Sequence, residues 1–200
     1  MIRRYLGAVK IAERRSAPPR RVLGIDPGTN VLGFGLVEQR AGKRYLIHFG
    51  VHKTRPTDVH AEKLRSIFAC ISDLIVQLKP SECALESPFF GKNVQSMLKL
   101  GRAQGVAMAA AMAGGLTVTE YAPKKIKLSV TGSGNASKEQ VAEMCAQLLS
   151  FSRDGIPLDA TDAIATALTH LNQTAVGGVM SGGAYSGWKH FLERNPGRLS

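Results

Sequence analysis

Four acidic residues have the types and the setting to do chemistry. Asp26 ends a short apolar run just before a turn, and Glu86 ends a second apolar run. Asp159 and Asp162 are three residues apart near the start of a predicted helix, so their carboxylates can share one helix face. If both strand ends and the helix start meet in space, four carboxylates gather at one place.

Such a cluster predicts a site for hard divalent cations, which prefer oxygen ligands. Two such ions a few ångströms apart can clamp a phosphodiester, one helping to generate hydroxide and the other stabilising the leaving oxygen. Carboxylates that close repel one another unless cations are present. No Ser, Tyr or Cys stands in a motif that would make it the nucleophile. We therefore expect hydrolysis by metal-activated water, without a covalent enzyme intermediate.

Each acid alone also has a simpler interpretation. Asp26 precedes Pro27 and could form a turn. Asp159 and Asp162 could complement the positive end of a helix. Glu86 could be a solvated residue at a strand end. The metal site is a prediction from the set, and it depends on the elements that position the four residues.

Hydrophobic periodicity predicts those elements. A mixed five-stranded sheet flanked by helices is expected, an α/β fold, because three strands joined by short turns precede strands that alternate with helices. On the third strand, Tyr45, Ile47, Phe49 and Val51 are predicted to share one face. Ser137 and Gln140 have the spacing of a capping box. Strands are predicted over 22–26, 31–39, 43–54, 82–87 and 116–121, and helices over 64–78, 93–113, from 137, and 158–172.

Composition divides the chain into three parts. Residues 1–20 are predicted to be a basic disordered extension, 21–172 one domain, and 173–200 a Gly-rich flexible tail. The net charge is +11, but residues 1–21 alone hold seven Lys or Arg and one Glu. The body is only mildly basic, so its isoelectric point is no argument for nucleic-acid binding. The extension is either merely disordered or an arm that grips phosphates.

Several protein classes are excluded by what the sequence lacks. It has no run of about 18 apolar residues, so no membrane span is expected. The basic N-terminal segment lacks the apolar stretch of a secretory signal. Cys70, Cys83 and Cys145 are odd in number and have no metal-ligand spacing, which favours buried reduced thiols. These features predict a cytoplasmic protein.

The segments around the acids resemble the RuvC family of crossover junction endonucleases. Residues 23–29 (LGIDPGT) with 33–35 (GFG) resemble its opening motif, and 85–93 (LESPFFGKN) its second motif. Residues 100–106 (LGRAQGV) are similar to the helix that follows, and 159–165 (DATDAIA) to the closing motif. The resemblance covers roughly residues 21–172, in order and at similar spacing, and leaves both tails outside.

The resemblance implies an RNase H-like fold and a homodimer that makes paired nicks across a four-way (Holliday) DNA junction in recombination and repair. It implies Mg²⁺ or Mn²⁺, two ions per site, held by Asp26, Glu86, Asp159 and Asp162. Partnership with the RuvA–RuvB branch-migration complex is implied in the same way.

Candidate DNA contacts lie beside these motifs. Phe89 follows Glu86 by three residues and could stack on an unpaired base, and the family uses an aromatic residue at this position. A basic cluster precedes the loop at 132–134, where ammonium and amide groups can hold phosphates. Lys127 and Lys138 match basic positions of the family, and Lys138 could stabilise charge in the transition state. The complete set of candidates is Phe89, Lys92, Asn93, Lys124, Lys125, Lys127 and Lys138.

Other interpretations stay open at this point. Residues 24–29 also resemble the phosphate loop of sugar kinases and actin-like ATPases, although no second phosphate motif is present. A non-catalytic junction binder and a nuclease acting on RNA are two further alternatives. The small residues around Gly101 and Gly105 fit either a dimer interface or packing against the sheet.

Overall fold

The computed structural model describes residues 18–88 and 93–179, with side chains to residue 174 in the last helix. Its five strands form one sheet in the order β3-β2-β1-β4-β5. Neighbours β1–β2 and β2–β3 are antiparallel, while β1–β4 and β4–β5 are parallel. The predicted mixed five-stranded sheet is therefore confirmed. The strands are β1 (Arg20–Asp26), β2 (Val31–Arg40), β3 (Lys43–Lys53), β4 (Glu82–Glu86) and β5 (Thr117–Tyr121).

Within residues 18–88 and 93–179, five helices cover the two faces of the sheet. Helices α1 and α2 pack together on one face, and α5 lies across β1 and β2 on the other with α3 and α4 beside it. In the part of the chain described, no helix is long and apolar enough to cross a membrane. The helices are α1 (His60–Leu78), α2 (Val94–Ala113), α3 (Pro123–Thr131), α4 (Lys138–Leu149) and α5 (Leu158–Val179).

Alternation along β1 creates two cores, one on each face. Leu23 and Ile25 are fully buried with the apolar stripe of α1, including Ile67. Val22 points the other way and packs with Leu168 of α5. Successive strand residues point to opposite faces, and burying one such side chain fully contributes about 1.5–3 kcal/mol. Asp26 has the parity of Val22, so its side chain lies on the α5 face.

A partly buried polar network ties α5 to the sheet. The ring nitrogens of His170 lie 3.0 Å from the Tyr121 hydroxyl and 2.8 Å from Glu82 Oε2. Arg20 donates to both oxygens of Glu82, over 2.9 and 2.7 Å. The hydrogen bond from Arg20, the largest favourable influence, together with that from His170, lowers the pKa of Glu82. The network fixes α5 relative to β1, β4 and β5, and so helps to set where its first turn lies.

Several boundaries differ from the sequence-based predictions. β1 begins at Arg20, α1 begins at His60, ahead of its apolar stripe, and α5 continues past Asn172 to Val179. Helix α3 was not predicted, although Pro123 at its first position and the buried Ile126 and Val130 are typical helix signals. The capping box at Ser137 is confirmed. The remaining residues of the predicted extension and tail lie outside the described residues.

The prediction that Tyr45, Ile47, Phe49 and Val51 share one face is wrong. A register shift opposite Leu36 and Val37 interrupts the alternation of β3. Leu46 packs against the α5-side core, and Phe49 stacks on Phe151, which packs against that same core. Residues three apart thus share a face, because a bulge inserts an extra residue.

Candidate metal centre

Three of the four predicted acids meet where β1 ends and α5 begins. One carboxylate oxygen each from Asp26, Asp159 and Asp162 lies within 4.8 Å of the other two. Asp26 is the last residue of β1, and the two helical residues lie in the first turns of α5. Among the residues described, this is the group of acidic, His or Cys side chains that could hold a metal ion. An all-oxygen donor set fits a hard divalent cation.

Glycines in β1 and β2 let α5 approach the sheet closely enough to form this group. A Cβ at Gly33 would lie 2.0 Å from the Asp159 carbonyl oxygen, and one at Gly24 would lie 2.0 Å from the Ala163 carbonyl oxygen. Both distances are far inside van der Waals contact, so any side chain there would push the helix away. The glycines of the opening motif therefore bring the helical aspartates to Asp26.

Glu86 stands next to Asp26 at the same edge of the sheet. It ends β4, and the parallel register pairs the preceding residues Ile25 and Leu85. Its carboxylate is outside the group of three within 4.8 Å, but it is close enough to repel both Asp26 and Asp162. All four acids predicted from the sequence thus lie at one edge, with Glu86 at its margin.

Burial and mutual repulsion favour the protonated forms of Asp26, Glu86 and Asp162 when no cation is bound. Burial and the charges of Asp162 and Asp159 raise the pKa of Asp26 to about 7, although Lys138 opposes this. Burial, Asp26 and Asp162 likewise raise the pKa of Glu86 to about 8. Burial also raises the pKa of Asp162. The positive charge of a divalent cation would offset the repulsion among the carboxylates, so its binding would release these protons.

Lys138 lies directly against the acids. Its ammonium donates to Asp162 Oδ2 over 2.5 Å. Burial lowers the pKa of Lys138, but the hydrogen bond to Asp162 and the charges of Asp26 and Asp159 outweigh it, and the net shift is upward. Lys138 is therefore a cation at neutral pH, placed where negative charge concentrates.

Comparisons with known proteins agree with this geometry. The family model described as crossover junction endodeoxyribonuclease RuvC matches residues 22–170. A relative of that name from Cytophaga hutchinsonii is 54% identical over 181 residues, covering 90% of this chain and 88% of the relative. One from Bacteroides fragilis is 48% identical over 180 residues, covering 89% and 95%. The chain belongs to the RuvC family.

Solved RuvC structures have the same fold. Thermus thermophilus RuvC in complex with a Holliday junction substrate matches with a TM-score of 0.74 and 34% sequence identity. The match covers 79% of this chain and 96% of that one. A second structure of the same RuvC matches with a TM-score of 0.70. The chain thus has the α/β, RNase H-like resolvase fold over nearly the whole length of its structural relative.

The three predicted lysines of the cluster after Pro123 lie on α3 and separate into different environments. Lys127 is near enough to Glu86 and Asp162 to lower their pKa values, against the larger effect of burial. Lys125 Nζ lies 5.3 Å from the centre of the Tyr121 ring. The stem of Lys124 lies over Gly134. The structure therefore brings Lys127 and Lys138 to the acids and leaves the other two lysines farther around the helix.

The predicted contacts of the second RuvC motif have mixed outcomes. Phe89 and Lys92 lie outside the described residues. The side-chain oxygen of Asn93 accepts a hydrogen bond from the Ser96 amide over 3.0 Å and caps α2. Asn93 thus has a structural role that the sequence did not suggest to us, although its position before an apolar helical stretch is typical of an N-cap.

Proposed function

We propose that this chain is a Holliday-junction resolvase, an endonuclease that cuts four-way DNA junctions by metal-dependent hydrolysis in recombination and repair. The observation that carries the proposal is the convergence of Asp26, Asp159 and Asp162. The chain that carries these acids matches 96% of the length of a RuvC solved in complex with a Holliday junction substrate. The acids supply the chemistry, and the family supplies the substrate class.

Mg²⁺ is the proposed cofactor, with Mn²⁺ able to substitute and two ions per site. Asp26, Glu86, Asp159 and Asp162 would hold them, because their oxygens share one sheet edge. When bound, such ions activate water and stabilise the leaving oxygen of a phosphodiester. Glu86 lies outside the group of three aspartates but near Asp26 and Asp162. This spread of the four carboxylates supports a site with room for two ions.

The chain's own residues position the metal ligands and place positive charge beside them. Asp159 and Asp162 are held by α5, which the glycines of β1 and β2 allow to lie against the sheet. Lys138 and Lys127 place positive charge beside the acids, where it can stabilise charge developing on the phosphodiester. No covalent nucleophile is proposed.

Substrate contacts and assembly follow from the same family membership. We propose that Phe89 stacks on an unpaired base and that Lys92, Asn93, Lys124 and Lys125 contact the DNA backbone beyond the acids. A homodimer would present two such sites to two symmetric strands. The RuvA–RuvB complex is the proposed partner and the cytoplasm the proposed location. The proposed division is an N-terminal extension over 1–20, a nuclease domain over 21–172 and a tail over 173–200.

Cleavage of a mobile four-way junction by the full chain tests this function. We expect Mg²⁺-dependent paired nicks on opposite strands, mapped at nucleotide resolution. Linear duplex and RNA–DNA hybrids of the same sequences should remain largely uncut. Preferential cutting of the hybrid would instead indicate an RNA-directed nuclease, and nucleotide hydrolysis without DNA would indicate an ATPase.

A matched pair of acid variants separates chemistry from binding. Asp26→Asn should abolish nicking yet leave junction affinity nearly unchanged, because it removes a ligand oxygen and keeps the side-chain shape. Asp73→Asn changes an exposed acid on α1 and should leave both unchanged. If a folded Asp26→Asn protein nicked junctions as fast as the Asp73→Asn control, the assignment would be wrong.

A further inference from the structure

A basic pocket lies near the same end of the sheet as the acids but on the opposite face, beside α1 and α2. Its volume is about 410 Å³. It is enclosed by the β1–β2 turn, the segment before α1, and the N-terminal halves of α1 and α2. Three stretches of the chain, 29–30, 56–63 and 96–99, therefore build it. Among its lining residues are Thr29, Asn30, Asp58, His60, Lys63 and Lys99.

The charge that lines this pocket is positive. Lys63 and Lys99 are two lining cations, and Arg102 is close enough to act on His60. Lys63 donates to Asn30 Oδ1 over 2.6 Å, which directs its ammonium toward the β1–β2 turn. Asp58, the one acid among the described residues that line the pocket, already pairs with Arg55 over 3.0 Å.

Two polar groups in the pocket have unused hydrogen-bonding capacity. His60 Nε2 is buried and has no hydrogen-bond partner within residues 18–88 and 93–174. A buried polar atom without a partner is costly and is typical of a place where a ligand or water completes the structure. Lys99 is exposed and makes no ion pair or hydrogen bond with any residue described. Both groups suit an anion with several acceptor oxygens.

The position of the pocket relates it to the acids. Thr29 and Asn30 follow Asp26 by three and four residues, within the turn that ends β1. Asp26 faces α5, while the pocket lies under α1 and α2 on the other face. Consider a DNA strand that places one phosphodiester at the acids and then crosses the β1–β2 turn. Such a strand would bring another of its phosphates to the pocket.

We propose that this pocket binds a backbone phosphate of the DNA, with Lys63, Lys99 and His60 as its contacts. The inference rests on the proposed junction-cutting function and extends it to a contact on the far side of the catalytic edge. Because phosphate contacts position a duplex without reading its sequence, the pocket would fix how the strand crosses Asp26. A phosphate has acceptor oxygens for two ammonium groups and an imidazole N–H together.

Junction affinity of a lysine variant, measured without divalent cations, tests the site. Lys99→Gln removes a charge that no described residue uses, so its fold should be preserved. We expect its Kd for a four-way junction to rise about fivefold. The slope of log K against log salt is negative, and it should become less steep by about 0.9 for each phosphate that the variant no longer neutralises. Lys43→Gln is the matched control, since Lys43 is exposed at the far β2–β3 hairpin. Equal effects of the two variants would overturn the proposal.

A second measurement identifies the phosphate. Junctions carrying one neutral methylphosphonate at successive positions should bind the unaltered protein more weakly when the substitution falls at the contacted phosphate. Lys99→Gln should show less further weakening there, because only Lys63 and His60 remain to contact that phosphate. Additive weakening at every position would overturn direct contact. Inorganic phosphate that raised the Tm of the unaltered protein but not of Lys99→Gln, with equal junction affinities, would reassign the pocket to a free anion.

Failure of the pocket and failure of the function give different results. If the unaltered protein cuts junctions, and the Lys99→Gln and Lys43→Gln variants bind junctions with equal affinity, the proposed function stands and this phosphate site does not. A protein that neither binds nor cuts junctions has neither. Lys99→Arg should restore affinity and salt slope, and a variant that stayed weak despite the restored charge would contradict an electrostatic contact.

Discussion

Lys138 Nζ lies 2.5 Å from Asp162 Oδ2 at the point where four acids approach one another. The ammonium offsets part of the repulsion among the carboxylates. Its place is set by the capping box of Ser137 and Gln140, which fixes the first turn of α4. A local sequence signal thus determines the position of a charge at the metal centre.

Replacing Lys138 by Met should slow cleavage much more than it weakens junction binding. Loss of one group that stabilises transition-state charge costs about 10²- to 10³-fold in rate. Single-turnover cleavage at saturating junction measures the rate, and anisotropy measures binding. Lys43→Met, at the exposed far hairpin, is the control. A cleavage rate for Lys138→Met equal to that of the control would show that Lys138 only pairs with Asp162.

Divalent-metal affinity should rise steeply between about pH 6 and 8. The pKa values of Asp26 and Glu86 are raised to about 7 and about 8, chiefly by burial. Metal binding must displace protons from these acids below those values, so lower pH weakens it. Calorimetry in buffers of different ionisation enthalpy measures both affinity and released protons. An affinity independent of pH over this window would contradict the raised pKa values.

Asp26→Asn should stabilise the metal-free protein at neutral pH. A carboxyl whose pKa is higher in the folded state than in the unfolded chain costs stability as pH rises from about 4 to about 7. The amide carries no charge to bury or repel, so we expect Tm to rise by about 5 °C at pH 8 and little at pH 4. The exposed Asp154→Asn is the control. A lower Tm for Asp26→Asn than for the control at pH 8 would count against this electrostatic explanation.

Gly33→Ala should displace α5 and weaken the metal centre. The added Cβ would meet the Asp159 carbonyl oxygen at 2.0 Å, and overpacking of this kind costs about 1–3 kcal/mol or more. We expect a lower Tm and weaker metal binding together. Gln147→Ala, at an exposed position of α4, is the control and should leave Tm and metal affinity nearly unchanged. Unchanged metal affinity in a folded Gly33→Ala protein would show that close approach of α5 is not required.

The clustering of the aspartates was predictable from the sequence because its determinants are local. Asp26 ends an apolar run, and Asp159 and Asp162 have helical spacing, so strand and helix periodicity alone placed their side chains. Family resemblance then joined these segments into one site. The reason they meet, the missing Cβ atoms under α5, becomes visible only when helix and sheet are seen in contact.

Features that depend on tertiary contacts were not predictable in this way. Helix α3 was missed because its lysines obscured the apolar pair Ile126 and Val130. The bulge in β3 has no local signal, since it reconciles strand pairing with packing on both faces. The basic pocket joins Lys63 and Lys99 from two helices distant in sequence, and neither residue lies in a motif around the acids.

The most direct test of the metal centre is where a divalent cation binds. Crystals of the full chain soaked in Mn²⁺ should show anomalous scattering within coordination distance of Asp26, Asp159 and Asp162, and the peak should vanish in Asp26→Asn. A clear peak elsewhere, with none beside these carboxylates under conditions in which Mn²⁺ supports junction cleavage, would contradict the assignment of the four acids as metal ligands.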